Sequence, residues 1–96
     1  MIEVRETRTF SEWLSGLQDA RAKAEVARRV RRLAFGNPGD VKPVGEGVSE
    51  RRIHYVPGYR VYYVQRESLL IVLLCGGDKS AQAKDIASAL KLAKEV

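Results

Sequence analysis

The order of periodic segments predicts an α+β domain: an N-terminal pair of helices, then an antiparallel sheet, then a C-terminal helix. Three observations lead there. Residues 10–35 carry apolar side chains at helical spacing amid many arginines. Residues 48–75 form three short apolar or alternating runs separated by turn residues, and residues 83–93 return to helical spacing. A chain of 96 residues makes one domain, residues 1–96. At that size it buries roughly 60–65% of the surface of its unfolded chain.

The elements follow in order. Ile2 and Val4 alternate with charges, so residues 1–5 suit a short strand at the edge of the later sheet. Thr9-Phe10-Ser11-Glu12 has the form of a capping box. Phe10, Trp13, Leu14 and Leu17 continue it as one stripe, ending near Gln18. Trp13 could offer a stacking platform for a base, but its place in the stripe favours packing. Asp19 then suits the N-cap of a second helix running to about Phe35. Ala20, Ala24, Ala27, Val30 and Ala34 form its apolar stripe, with Val26 and Leu33 beside it and Arg21, Arg28, Arg29 and Arg32 opposite. With almost no linker between them, the two helices should fold back as an αα-hairpin.

Gly36-Asn37-Pro38-Gly39 stops the second helix, and Asp40 to Gly47 reads as a loop. The GEG at 45–47 lacks the Lys-Ser/Thr ending and the following helix of a phosphate loop. Val48–Tyr55, Tyr59–Gln65 and Leu69–Cys75 then read as three strands of a meander. Turns lie at Val56-Pro57-Gly58 and Arg66-Glu67-Ser68. The third strand is almost wholly apolar, hence buried on both faces, and Gly76-Gly77 breaks it. Asp78 or Ser80 caps a last helix to about Lys94. Its stripe is Ala83, Ile86, Ala87, Leu90 and Ala93, and Lys84, Asp85, Lys91 and Lys94 face water.

Composition narrows the function classes. Lys and Arg number 17 against 12 Asp and Glu, a net charge of +5, which favours a polyanionic partner. From Arg21 to Arg32 there are six cations and one acid, Glu25. That face is either a solvated surface laced with weak ion pairs or a surface for RNA phosphates carried by Arg21, Arg28, Arg29 and Arg32. The single cysteine, Cys75, sits in an apolar run and reads as a core thiol. One Cys and one His give no metal-binding set, and no cofactor motif is present. The N-terminus lacks a signal-type apolar region and Leu69–Cys75 is too short to span a bilayer, so the expectation is a cytoplasmic protein without a membrane partner.

Alternation along the strands points to a site. With Ile53 and Tyr55 toward the core, Glu50, Arg52 and His54 share the other, open face. The next turn brings Arg60 beside them, with Lys79 at the rim. Such a set suits a phosphodiester. Cleavage through the ribose 2′-OH needs a base, a stabiliser of phosphoryl charge and a proton for the leaving oxygen. His54 or Glu50 can serve as base, and Arg52, Arg60 and Lys79 as charge stabilisers. Tyr55 or Tyr62 can stack on a base. A lone histidine in a strand is also commonly a surface residue, so residue chemistry alone leaves catalysis open.

Three stretches carry a resemblance: GNPGDVKPVGEGVSERRIHY at 36–55, PGYRVYY at 57–63 and LLCGGDKSAQAKDI at 73–86. With them the chain resembles the RelE/ParE toxin superfamily from about Phe10 onward, and within it the HigB-like addiction-module killer group. The resemblance implies two helices packed on a curved antiparallel sheet with a C-terminal helix. It implies the toxin of a type II toxin–antitoxin pair, held by a small helix-turn-helix, HigA-like antitoxin that binds operator DNA with the toxin as co-repressor. RelE-type members cleave mRNA in the ribosomal A site, and cleavage through the 2′-OH requires no metal. On that pattern Arg60 matches the functional arginine after Gly-Tyr, Arg52 and His54 fall on or near the basic pair, and Lys79 lies close to the basic position after the last strand. The C-terminal catalytic Tyr or His of the pattern is absent, since no Tyr or His follows Tyr63. ParE-type members share the fold but inhibit DNA gyrase, and a third alternative is a degenerate toxin acting only as co-repressor.

Overall fold

A computed structural model describes residues 1–96 as a five-stranded sheet covered on both faces by helices. In chain order the elements are β1 (Glu3–Glu6), α1 (Arg8–Gly16), α2 (Ala20–Ala34), β2 (Val41–Gly45), β3 (Val48–Ile53), β4 (Tyr59–Arg66), β5 (Leu70–Asp78), a 3-10 turn (Lys79–Ala81) and α3 (Gln82–Ala93). The strand order is β1-β5-β4-β3-β2. Strands β2 to β5 are antiparallel neighbours, and β1 adds to β5 in parallel. The sheet is therefore mixed rather than purely antiparallel: after the two helices the chain re-enters as β2 at the edge opposite β1, and three reversals later β5 arrives beside β1 in the same direction.

Alternation puts a separate apolar layer on each face. Phe10 of α1 and Val26 and Leu33 of α2 pack on Ile53, Val61, Tyr63, Ile71 and Leu73. On the opposite face Ala89 and Ala93 of α3 pack on Val48, Tyr62, Val64, Val72, Leu74 and Cys75. This two-sided cover explains why β5 is buried along nearly its whole length. Cys75 lies in the second layer, and burial, with Asp85 nearby, pushes its thiol up to about 12.

Several boundaries differ from the sequence reading. The cap of α1 is Thr7, not Thr9. Its hydroxyl accepts from the Phe10 amide at 3.1 Å and donates to the Leu74 carbonyl at 2.6 Å, a tertiary bond that local pattern does not encode. Glu12 instead pairs with Arg8. The Asp40–Gly47 segment is mostly strand. It lies at the sheet's edge, where Pro43 is tolerated because one side of the strand needs no ladder bonds. Glu46 and Gly47, both at positive φ (51° and 80°), close its hairpin with β3.

The helix faces also differ in part. In α2 the buried residues are Ala22, Val26 and Leu33, while Ala20, Ala24 and Ala27 are exposed. In α3 the expected Ile86, Leu90 and Ala93 do pack on the core together with Ala89, and only Ala83 and Ala87 of the stripe are exposed. Alanine is too small to decide which face is buried, so the larger side chains and the sheet decide.

Gly76-Gly77 does not break the third strand of the meander; β5 runs through it to Asp78. A Cβ on Gly76 would lie 2.8 Å from Trp13 Cδ2, and one on Gly77 would lie 3.0 Å from Asp85 Cγ. The pair is a place where helices touch the sheet's backbone on both faces. Trp13 packs there, with Phe10 and Tyr59 at ring-centroid distances of 5.7 and 6.2 Å. Gly76→Ala is expected to destabilise the fold by about 1–3 kcal/mol through overpacking. In urea denaturation the same substitution combined with Trp13→Leu should cost less than the sum of the two single changes.

Candidate phosphodiester site

Glu50 sits near the middle of β3, and α3 covers it. It is 0% exposed, among the largest fully buried side chains of the molecule. Opposite it in register is Tyr62 of β4, and next along the ladder Arg52 faces Arg60. All four side chains lie on the α3 side of the sheet. Tyr62 donates its hydroxyl to Glu50 Oε2 at 3.0 Å, and Gln82, the first residue of α3, donates its amide to the same oxygen at 2.9 Å. Arg52 Nε donates to Oε1 at 3.3 Å, and Arg60 Nε lies 3.5 Å from Oε2 as an ion pair.

This geometry corrects the expected open face. Glu50 shares a face with Arg52 and Arg60, but α3 closes that part of the face. A buried carboxylate with both oxygens engaged cannot readily take a proton from a ligand; it holds two guanidiniums instead. Burial alone would raise its pKa. The hydrogen bonds from Gln82, Tyr62 and Arg52 and the charge of Arg60 overcome that and hold it below the ordinary carboxylate value. Tyr62, pushed far up by burial and then by Glu50, is fully buried and unavailable for stacking.

The four predicted cationic or titratable residues do converge. Arg52, His54, Arg60 and Lys79 line one cleft of about 130 Å³ with Ile53, Gly58 and Tyr59. Arg60 is its inner wall: its side chain is only 16% exposed, and Nε and Nη1 make no hydrogen bond. The guanidinium is thus held by charge along one edge, with Nε and Nη1 enclosed and Nη2 the nitrogen left to meet an anion. Lys79 follows the end of β5, where Asp78 caps the 3-10 turn. Its stem packs over Gly58, with Cδ 3.6 Å from where a Cβ would stand.

His54 lies just past the end of β3, with its side chain 75% exposed. Its Nε2 meets Asp40 Oδ2 at 2.6 Å. With Nε2–H donated to Asp40, Nδ1 is the free acceptor. The hydrogen bond from His54 is the main cause holding the Asp40 carboxyl below its ordinary value. The sequence reading missed Asp40 because it took residues 40–47 for a loop. Once β2 pairs with β3, the Arg52 amide donates to the Asp40 carbonyl at 2.9 Å, and the carboxylate comes beside His54.

The arginines of α2 do not act as one set. Glu25 pairs with Arg28 and, at 3.0 Å, with Arg29. Arg21, Arg28 and Arg32 are exposed, but Arg29 turns partly toward the sheet. It approaches Arg51, which is only 4% exposed and whose pKa is lowered by burial and then by Arg29. Arg51 Nη1 donates to the Arg52 carbonyl, and Gly39 leaves room for its guanidinium.

The fold is that of the RelE-like toxins. A mutant of the Escherichia coli toxin RelE in the free state superposes with a TM-score of 0.75 at 14% identity, covering 94% of this chain and 95% of that one. A copper-bound mutant toxin from Helicobacter pylori matches at 0.58, with 18% identity over 83% of this chain and 97% of that one. A conserved hypothetical protein from Helicobacter pylori matches at 0.50, again at 18% identity, over 85% of this chain and 99% of that one. No protein-family model matches the sequence. The chain belongs to one family with an uncharacterized protein of Haemophilus influenzae, 50% identical over 95 residues and spanning 99% of this chain and 96% of the relative.

The lowered pKa of Glu50 has a stability consequence. Its contribution is fully present above the ordinary value of 4.5 and is lost as pH falls through the lower folded value. On acidification below about pH 4.5 the Tm of the wild type should therefore drop more steeply than that of Glu50→Gln, measured by circular dichroism at a series of pH values. Glu50→Ala, which leaves two guanidiniums uncompensated, should cost about 3–5 kcal/mol at neutral pH.

Proposed function

We propose that this protein is the toxin of a type II toxin–antitoxin pair and that it cleaves mRNA on the ribosome. The observation that carries the proposal is the convergence of Arg52, His54, Arg60 and Lys79 on one cleft above the buried Glu50. The likeness of fold to toxins supports it. The partners on this reading are the ribosome with its mRNA and a small helix-turn-helix antitoxin of the HigA-like kind. Operator DNA is reached only through that antitoxin, and the site of action is the cytoplasm.

The chemistry follows from the cleft. His54 Nδ1, with the ring oriented by Asp40, takes the proton of the ribose 2′-OH. The 2′ oxygen attacks phosphorus in line, and the bond to the 5′ oxygen breaks. Arg60 and Arg52 hold the non-bridging oxygens as charge builds on them. Lys79 at the rim passes a proton to the leaving 5′ oxygen. The products are a 2′,3′-cyclic phosphate and a 5′-hydroxyl. Glu50 acts by positioning the two arginines. Exposed Arg21, Arg28 and Arg32 on α2 supply sequence-independent attraction to ribosomal RNA.

A purified translation system checks the assignment. Wild-type protein should cut mRNA only when ribosomes are present, and Arg60→Ala should lower the rate by about 100-fold or more while remaining folded by circular dichroism. His54→Ala should lose a comparable or smaller factor. Intact mRNA on translating ribosomes at high levels of folded protein would rule the reading out, and inhibited supercoiling in a gyrase assay would redirect it to the ParE type.

A further inference from the structure

A second cleft adjoins the cationic one. It measures about 470 Å³ and is lined by His54, Tyr55, Val56, Pro57, Gly58 and Lys79. Three of these residues, His54, Gly58 and Lys79, also line the cationic cleft. The remaining wall is the Tyr55-Val56-Pro57 turn, which is apolar apart from the phenol oxygen. No acidic side chain lines it. Val56 is 88% exposed, a large apolar side chain at the rim of a basic surface.

The wall is held from several directions. The Tyr55 ring packs against the α1–α2 layer of the core. Its hydroxyl donates to Asp19 Oδ2 at 3.4 Å, at the carboxylate that also caps α2. The Tyr55 amide donates to the Ile53 carbonyl at 2.9 Å. The Lys79 stem closes the side over Gly58.

We infer that this second cleft is a nucleobase subsite, taking the base of the nucleotide whose phosphate occupies the cationic cleft. The inference rests on the phosphodiester reading of that cleft and adds what lies next to it. A phosphate and its base are joined through one ribose, so a base site must border the phosphate site. The three shared residues provide that border. A base presents flat faces that stack on aromatic rings with little regard to sequence. Tyr55 offers the ring, and Pro57 and Val56 offer apolar contact beside it. The volume lies within the ordinary range for small-molecule sites. Lys79, on both clefts, would lie between base and phosphate.

The test is a titration of the full-length protein, followed by NMR amide shifts, with adenosine and cytidine 5′-monophosphates and with ribose 5-phosphate. All three should shift Arg52, Arg60 and Lys79. Only the nucleotides should shift Tyr55 and Val56, and they should bind at least about five-fold tighter, the low end for base–aromatic stacking. Tyr55→Leu keeps an apolar side chain against the core and should bring the nucleotides down to the affinity of the sugar phosphate. Val56→Ser, at an exposed position, should give a smaller decrease. Equal affinity of nucleotides and sugar phosphate for the wild type, with shifts confined to the cationic cleft, would overturn the base subsite and leave the phosphate cleft standing. No shift in either cleft with any ligand would overturn both.

Discussion

Much of this molecule depends on one buried carboxylate. Glu50 lies under α3 with no solvent contact, and a charge so placed must be paired and hydrogen-bonded. Its partners come from three elements: Arg52 from β3, Arg60 and Tyr62 from β4, and Gln82 from the start of α3. The requirement fixes the register of β3 on β4, because a slip of one residue would turn Glu50 and Arg52 to the α1–α2 face. It also fixes the two guanidiniums from behind. They lie along the floor of a cleft rather than extending into solvent, and an arginine already ordered loses less freedom when it binds an anion.

A second constraint places the rim. Strand β5 has to lie close to both helical layers, and Gly76 and Gly77 allow Trp13 and Asp85 to approach its backbone from opposite faces. Asp85 Oδ2 is buried there without a hydrogen bond, and burial and then Asp78 raise its pKa, with Lys84 opposing. The strand therefore runs on to Asp78, whose side chain caps the turn that presents Lys79 beside Gly58. Arg66 fastens the other end of α3 by donating to the Ala93 carbonyl at 2.8 Å. The helix that covers Glu50 is thus tied to the sheet near both of its ends.

Legibility in the sequence followed the physics of each signal. Strand alternation is a local rule, and it placed Arg52 and Arg60 on one face, with Lys79 at the rim. The apolar run of β5 likewise announced a strand buried on both sides. What alternation cannot show is which part of a face a helix will cover, so Glu50 read as open when it is closed over by α3. Asp40 was illegible because β2 contains Pro43 and Gly45, with Gly47 just beyond, the marks of a loop, and only an edge position makes it a strand. Several alanines of α2 and α3 were misplaced because alanine is compatible with either environment, while the larger residues beside them, Val26, Leu33, Ile86 and Leu90, pack as expected. The glycine pair read as punctuation because the side chains that need the space, Trp13 and Asp85, are distant in sequence.

On the proposed function, the buried Glu50 assembles the cleft that cleaves the phosphodiester. Mapping RNA 5′ ends in cells after induced expression of the wild type, and of Glu50→Gln at an equal level of folded protein, tests it most directly. New 5′ ends should arise inside translated reading frames for the wild type and be markedly lost for Glu50→Gln, whose neutral amide no longer holds the arginines by charge. Growth arrest without new 5′ ends, or undiminished cutting by Glu50→Gln, would contradict it.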